Sequence, residues 1–319
     1  TMGLALLSNH SLDNLESWAK THFSDIKNRN LDRTVHDPEV FTKKETTRIV
    51  QIDPVKDIRD LQLFFPISGT RDMYRSKPGR QMGFILGHEG KGSLLSFLKG
   101  KGWATSLSAG AGSDTKEYGR ASVKIGLTEQ GLKDYEEVLM ATVDYIRLMK
   151  NAGHQEHVFN ELKTMAELEY VYGAKGEGMW RATQLANEAM MYPLENVGKI
   201  NYMYNDKNPK PYEELLEQLE LNNMLVVITA KGVSTDQVEY YYNAPYSYKE
   251  DKALYSLLLE RRENKKLKIP EVNPFIPTTA SVPNRDIIDD KLPRLLSSDL
   301  GHELYFGEDH EFLRPKGMI

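Results

Sequence analysis

The order of strand-like and helix-like segments is the feature that most restricts the fold of this chain. Runs of strand length come as two pairs and one later single run, and each pair is followed by amphipathic helices, whose apolar side chains recur every three or four positions. The strand-like runs are residues 46–53, 59–67, 102–114, 118–128 and 224–232. The predicted helices are residues 80–87, 93–99, 129–150, 157–172, 178–191 and 211–220. Because strands and helices do not alternate singly, the order predicts an α+β fold, a layered mixed or antiparallel sheet with helices packed on one face.

Breaks in this pattern divide the chain into parts. Residues 1–27 read as one strand, "GLALLS", and one helix capped by Ser11, which we interpret as the end of an upstream domain. Polar residues 28–45 are typical of a linker, and residues 46–262 hold the α+β domain. The charged and proline-rich residues 263–293 predict an extended tether. Residues 294–319 would begin a further domain, with "ELYF" and "FLRPKGMI" as a hairpin.

Charge and composition exclude several classes of function. The net charge is only −5, so no basic field is present to hold nucleic acid. The chain has no cysteine, which excludes disulfides, thiolate zinc sites and cysteine nucleophiles. No apolar run approaches the roughly 20 residues of a membrane helix, and the best, "MLVVITA" at 224–230, has strand length. We therefore expect a globular protein without a nucleic-acid or membrane partner.

Histidines offer two candidate metal sites, and neither has a zinc-peptidase spacing. Such sites use H-E-x-x-H or H-x-x-E-H, and the sequence contains neither motif. His154 and His157 lie three residues apart with Glu156 between them, one residue short of the inverse motif. We interpret residues 154–156 as an exposed first helical turn, where Glu156 favours the helix dipole. His302 with "EDHE" at 308–311 is explained equally well by a polar hairpin, so we expect no metal in this chain.

The stretch "LGHEGKGSLLSFLKGKGW", residues 86–103, resembles a phosphate-binding loop only superficially. A P-loop would need glycine at Ile85 and a hydroxyl at Gly92, and a dinucleotide fingerprint would need a third glycine. Two readings remain. One is tight packing of a helix junction against the small-residue strand "SLSAGAG", residues 106–112. The other is a ligand site, formed by the start of the helix over 93–99 and by a strand edge that an extended peptide could join.

Several segments together resemble the pitrilysin and insulin-degrading enzyme family of zinc metallopeptidases, the inverzincins. They are "LGHEGKGSLLSFLKGKGW", "SLSAGAG", "IGLTEQGL", "YPLENV" and "NPFIPT". The likeness extends over the whole chain, with "MGLALLSNHSLDNLESW" matching the end of the family's catalytic first domain and "ELYFGEDHEFLRPKG" matching the start of the third. It implies that residues 46–262 are the noncatalytic second domain, which repeats the first domain's fold without its zinc site.

The resemblance also implies a substrate-binding exosite that anchors the N-terminal part of a peptide away from the zinc. Glu89 would meet the peptide's free α-amino group, and residues 107–110 would add the peptide as a strand. The implied contacts are His88, Glu89, Gly90, Gly92, Leu107, Ser108, Ala109 and Gly110. Ser108 and Ala109 depart from the valine and glycine of the best-described exosite, and Ala109 would narrow access to the backbone slightly.

The resulting functional prediction is a noncatalytic, substrate-binding segment of a zinc-dependent metalloendopeptidase. The parent would use zinc and cleave peptides, whereas this chain would be inactive alone and hold no zinc. Its partners would be a peptide substrate and the remaining domains of the parent. A periplasmic location is implied by resemblance, with the cytoplasm as the alternative. Two other functions stay open: an assembly subunit of the same superfold, and a stand-alone peptide-binding module.

Overall fold

A computed structural model describes residues 2–32, 34–35, 45–113, 115–174, 176–260, 264–277 and 292–307. Its main sheet contains the strands β1 Arg48–Ile52, β2 Arg59–Ser68, β3 Ala104–Ser113, β4 Tyr118–Leu127, β5 Leu225–Ala230, β6 Gln237–Val238 and β7 Pro245–Glu250. The strand order is β3-β4-β2-β5-β1-β7-β6. The pair β1 and β5 is parallel and the other pairs are antiparallel. The predicted mixed sheet is thus confirmed, and β3 lies at one edge of it.

Helices cover one face of this sheet, as predicted. The helices of the described residues are α1 Leu12–Phe23, α2 Pro78–Leu86, α3 Leu94–Gly100, α4 Glu129–Lys133, α5 Tyr135–Ala152, α6 Glu156–Tyr172, α7 Gly178–Met191, α8 Lys210–Glu217 and α9 Lys252–Leu259. Helices α1 and α7 contribute no residue to the main core. Alternate residues of β2 are buried from Leu61 to Ile67, and β4 shows the same alternation. On the opposite face, Lys124 pairs with Asp60 at 2.9 Å and Arg120 lies over the ring of Phe64. One face is therefore core and the other is polar.

Helix α5 is the centre of the helical layer. Its buried stripe includes Val138, Tyr145, Ile146 and Met149, which belong to the same core as the inward side chains of β2 and β4. Each fully buried aliphatic side chain of this kind contributes about 1.5–3 kcal/mol by leaving water. The predicted single helix over 129–150 is in fact two helices, because the chain turns at Asp134 between α4 and α5.

The N-terminal residues differ from the prediction in one respect. Helix α1 begins after Ser11, whose hydroxyl accepts a hydrogen bond from the Asn14 N–H at 3.3 Å, as expected of a cap. Residues 3–8 are not a strand. They lie instead along α7, with Leu7 next to Gly178 and Gly3 next to Ala186. A strand needs a neighbour to pair with, and the described residues provide none for this segment.

The segment predicted as an extended tether is partly packed onto the domain. Leu267 is buried, and the described residues 264–273 make backbone and side-chain hydrogen bonds with α5, α6 and the loop after α2. The tether prediction is therefore wrong for these residues, while residues 278–291 lie outside the described part. The linker predicted over 28–45 also falls largely outside it.

The C-terminal hairpin has a different partner from the predicted one. Strand β9, His302–Phe306, contains "ELYF" and pairs with β8, Arg294–Asp299, through a turn at Leu300 and Gly301. The run "FLRPKGMI" and the cluster "EDHE" lie outside the described residues, and His302 itself is exposed.

The prediction of an exposed helical turn at residues 154–156 is wrong for His154. Its ring packs against Tyr212 and Phe159, and its Nε2 is buried with no hydrogen-bond partner among the described residues. This burial lowers the pKa of His154, although Glu213 and Glu156 act in the opposite direction. Only Glu156 in that turn is exposed, as predicted.

This burial predicts loss of stability on mild acidification. An unfolded histidine takes up a proton near pH 6.5, and folded His154 does so only at lower pH. We expect the free energy of unfolding to be unaffected by this group above pH 6.5 and to fall as the pH drops towards the folded pKa. Urea unfolding at pH 7.5 and pH 5.5 measures the loss. His154→Phe should reduce it, whereas the same change at exposed His22 should leave it as in the wild type.

Candidate functional site

The loop after α2 is folded around the side chain of His88. The Gly90 N–H donates a hydrogen bond to His88 Nδ1 at 3.1 Å, and the imidazole lies beside the ring of Phe84. A Cβ at Gly90 would lie only 2.6 Å from His88 Cε1, so a larger residue there would displace the imidazole from this position. His88 therefore shapes the loop. Glu89 is exposed at its tip, and no ion-pair partner for it is found among the described residues.

Gly92 has a structural role that the sequence does not reveal. Its φ is +87°, a conformation that favours glycine, and a Cβ there would lie 3.0 Å from Lys268 Cβ. Its carbonyl oxygen accepts a hydrogen bond from the Lys268 N–H at 2.8 Å. Gly92 thus fixes the end of the loop against a segment 176 residues later in the chain.

The start of α3 is capped from within the chain. The Ser93 hydroxyl accepts a hydrogen bond from the Ser96 N–H at 3.1 Å, and the Ser93 N–H donates to Gly90 O at 3.0 Å. The helix has only seven residues. The Ser93 side chain thus satisfies one of the first N–H groups of this helix, and the expectation that the remaining ones face a ligand stays a prediction.

Strand β3 offers an unpaired edge. It pairs with β4 on one side, and it is the last strand of the sheet on the other. Alternate N–H and C=O groups of an edge strand point away from the sheet and can pair with another extended chain. Ser106 and Ser108 are exposed, and a Cβ added at Gly110 or Gly112 would meet no atom within 4 Å. The face of β3 that points away from the helices is therefore open to solvent, next to the unpaired edge.

The inward side of β3 is closed by α2 through a stripe of glycines. A Cβ at Gly79 would overlap the carbonyl oxygen of Ala111, and one at Gly83 would lie 2.9 Å from the carbonyl oxygen of Ala109. Gly87, one turn further, is next to the Ala109 N–H. The recurrence of glycine every four residues from 79 to 87 was the sequence signal for this packing, and sequence reasoning missed it.

This packing brings the two predicted halves of the site together. Because Gly87 touches Ala109, the loop of His88, Glu89 and Gly90 lies beside the middle of β3. Leu107 is only 8% exposed and belongs to the core, so its side chain is unavailable to a ligand. Ala109 also packs inward, whereas Ser108 is exposed and Gly110 has open space beside it. What the surface offers is an exposed carboxylate next to backbone groups.

Metal ligation does not fit the residues that the structure describes. Within those ranges, no group of three or more His, Asp or Glu side chains is placed to hold an ion. His154 and His157 cannot form one, because the His154 ring packs among aromatic rings and His157 Nε2 lies 3.0 Å from the Pro270 carbonyl oxygen. Across the same ranges, no helix is long and apolar enough to cross a membrane.

Comparison with family models decides the relationship. Residues 1–166 match the model described as the peptidase M16 inactive domain. The chain belongs to the M16 peptidase family. Residues 170–319 match the model of the middle or third domain of the same family. The two models meet within α6, and the seven-stranded sheet takes β1–β4 from the first and β5–β7 from the second.

Named relatives agree with this assignment. The chain is 30% identical to insulin-degrading enzyme of Bos taurus over 100% of its length, and covers 32% of that protein. It is also 30% identical, again over 100% of its length and 33% of the relative, to a protein of Schizosaccharomyces pombe whose name describes a zinc protease. The crystal structure of pitrilysin matches with a TM-score of 0.84 at 20% identity, over 96% of this chain and 33% of that one. The chain thus spans about a third of the relatives' length and corresponds to a noncatalytic part of an M16 peptidase.

Proposed function

We propose that this chain is the substrate-anchoring part of a zinc-dependent metalloendopeptidase. The observation that carries the proposal is the unpaired edge of β3 beside the exposed carboxylate of Glu89. A peptide with a free N-terminus presents one ammonium group and a regular row of N–H and C=O groups. The surface offers a partner for each of these in adjacent positions.

Peptide would bind by adding a strand antiparallel or parallel to β3. The backbone from Leu107 to Gly110 would supply the hydrogen bonds, and the lack of side chains at Gly110 and Gly112 would allow close approach. Glu89 would accept a charge-assisted hydrogen bond from the α-amino group. Gly90, Gly92 and His88 would act indirectly, by shaping the loop that presents Glu89.

Hydrolysis itself belongs to the rest of the proposed parent protein. Zinc bound there would activate water for attack on the peptide bond. The residues of this chain would bind and orient substrate and would hold no zinc. The division into the end of an upstream catalytic domain (1–27), a linker (28–45), a second domain (46–262) and the start of a third domain (294–319) remains part of the proposal, whereas residues 264–273 of the predicted tether (263–293) pack on the second domain. A periplasmic location is also proposed, with the cytoplasm as the alternative.

The role of Glu89 is tested with two peptides and one substitution. Fluorescence anisotropy should show that a peptide with a free N-terminus binds the wild-type chain about three- to tenfold more tightly than its N-acetylated form, the range of one ordinary hydrogen bond, because solvent screens the exposed Glu89 carboxylate. Glu89→Gln should abolish this preference, because it should weaken the binding of the peptide with a free N-terminus and leave the binding of the N-acetylated peptide unchanged. Glu195→Gln removes the same charge from an exposed position near the opposite end of α2, and should preserve the preference.

Equal affinities of wild-type protein and Glu89→Gln for the free peptide would refute the role of Glu89. Leu107→Ala is unsuitable as a test, because this buried side chain would report stability rather than binding.

Measuring bound zinc tests whether this chain anchors substrate or carries a catalytic metal site. We expect the 319-residue chain to bind no stoichiometric zinc in elemental analysis after dialysis, since the His154 ring packs against Tyr212 and His157 Nε2 lies within hydrogen-bond distance of the Pro270 carbonyl oxygen. One zinc per chain, lost in the His154→Ala variant, would contradict the assignment of this segment as noncatalytic.

A further inference from the structure

Residues 267–273, here called the strap, contact the end of the loop that presents Glu89, at Gly92. Their backbone makes hydrogen bonds with the loop after α2, with α6 and, through Tyr145, with α5. The Lys268 N–H donates to Gly92 O at 2.8 Å, and the Asn273 N–H donates to the Glu161 carboxylate at 2.8 Å. The Pro270 carbonyl oxygen lies 3.0 Å from His157 Nε2. Leu267 at the start of the strap is 6% exposed and belongs to the main core.

Tyr145 connects the strap to the helix before the loop. Its hydroxyl lies 3.1 Å from the Lys268 carbonyl oxygen and 3.4 Å from the Ile85 carbonyl oxygen, in the last turn of α2. The side chain is fully buried in α5. Burial raises the pKa of Tyr145, so the hydroxyl keeps its proton and remains a donor. The single hydroxyl proton is shared between the two carbonyl oxygens, with the shorter contact to Lys268, so Tyr145 fixes Lys268 beside the end of α2 and Lys268 in turn fixes the end of the loop at Gly92.

We propose that Tyr145 and the strap are positioning elements for the peptide site, coupling peptide binding at Glu89 to docking of residues 267–273. The inference rests on the proposed function of the loop. Three glycines within six residues give the free loop many conformations, and ordering them costs free energy. The contacts of Lys268 with Gly92 and Tyr145 order the loop before the peptide binds, so peptide binding does not have to supply this free energy.

Coupling of this kind is reciprocal. If a docked strap favours peptide binding, then bound peptide must favour the docked strap by the same factor. Saturating the protein with the peptide that has a free N-terminus should therefore slow hydrogen exchange of the Lys268 amide. That amide reports on the strap directly, because its partner is Gly92 O.

Tyr145→Phe is the primary test, with Tyr255→Phe as its matched control. Tyr255 is also buried in a helix, and its hydroxyl lies 3.2 Å from Arg48 O and 2.9 Å from Met224 O, away from the loop. Both variants should lower the urea midpoint to a similar extent. Only Tyr145→Phe should weaken peptide binding, by about two- to tenfold, the range for one hydrogen bond. Only Tyr145→Phe should speed exchange at Lys268 relative to the core amides.

A second pair of variants keeps the test decisive if Tyr145→Phe does not fold. Glu161→Ala removes the acceptor of the Asn273 N–H, and Glu161→Gln retains an acceptor oxygen. We expect faster Lys268 exchange in the alanine variant and rescue in the glutamine variant. The inference is overturned if peptide affinity and Lys268 exchange are unchanged in Tyr145→Phe, or change equally in Tyr255→Phe. Absence of peptide binding by the wild-type chain would instead refute the proposed function.

Discussion

Replacing Gly79 with valine is expected to lower the free energy of unfolding by about 3 kcal/mol, the upper end of the usual cost of overpacking. A Cβ at this position overlaps the carbonyl oxygen of Ala111, and a backbone atom cannot rotate away as a side chain can. Helix α2 would have to separate from β3. Since that contact also places Gly87 beside Ala109, peptide binding should be lost together with stability.

Gly112→Val provides the control for this prediction. Gly112 lies on β3 next to Ala111, but a Cβ there meets no atom within 4 Å. Valine is also favoured in strands. Its urea unfolding midpoint should equal or exceed that of the wild type. Equal midpoints for Gly79→Val and the wild type would show that α2 does not rest on β3 as closely as the structure indicates.

A peptide N-methylated at one position at a time should lose binding at every second position. In a strand pair, alternate residues of the added strand direct their N–H towards the neighbour, and the others direct it away. Methylation of an inward N–H removes a hydrogen bond and places a methyl group against β3. We expect the affinity to fall by about tenfold or more at these positions and to change little at the others.

The same scan on an N-acetylated peptide should preserve the alternation at lower overall affinity, because Glu89 and the strand edge contribute separately. A uniform loss at all positions, or loss at one position only, would show that the peptide does not bind as a strand. Isothermal titration of each peptide against the wild-type chain supplies the affinities.

Local sequence patterns predicted most secondary structure. The strands β2 and β4 and the helices α5 and α6 appear within the segments predicted for them, because each of these elements has one buried face. The short pair β6 and β7 was not predicted, since β6 is only two exposed residues long and has no apolar pattern. Residues 3–8 have a strand-like composition, but composition does not supply a pairing partner.

The candidate site was predicted less completely. The residue types at positions 88–92 and 106–112 indicated open backbone and a free carboxylate, and the structure places these two segments side by side. The sequence did not show that Leu107 faces the core or that His88 serves its own loop. Each of these facts depends on which way a side chain turns, which in β3 follows from pairing with β4 and packing under α2.

By itself, the sequence determined the α+β class, the helix and strand segments, and the likeness to M16 peptidases, because these follow from local periodicity and from motifs in order. Only the tertiary structure decided that β3 is the edge strand, that glycines 79, 83 and 87 hold it under α2, and that residues 267–273 return to the loop at Gly92. These features join residues distant in sequence. They depend on which apolar surfaces pack together away from water, and on which buried backbone N–H and C=O groups must then find hydrogen-bond partners. A local sequence pattern contains neither kind of information.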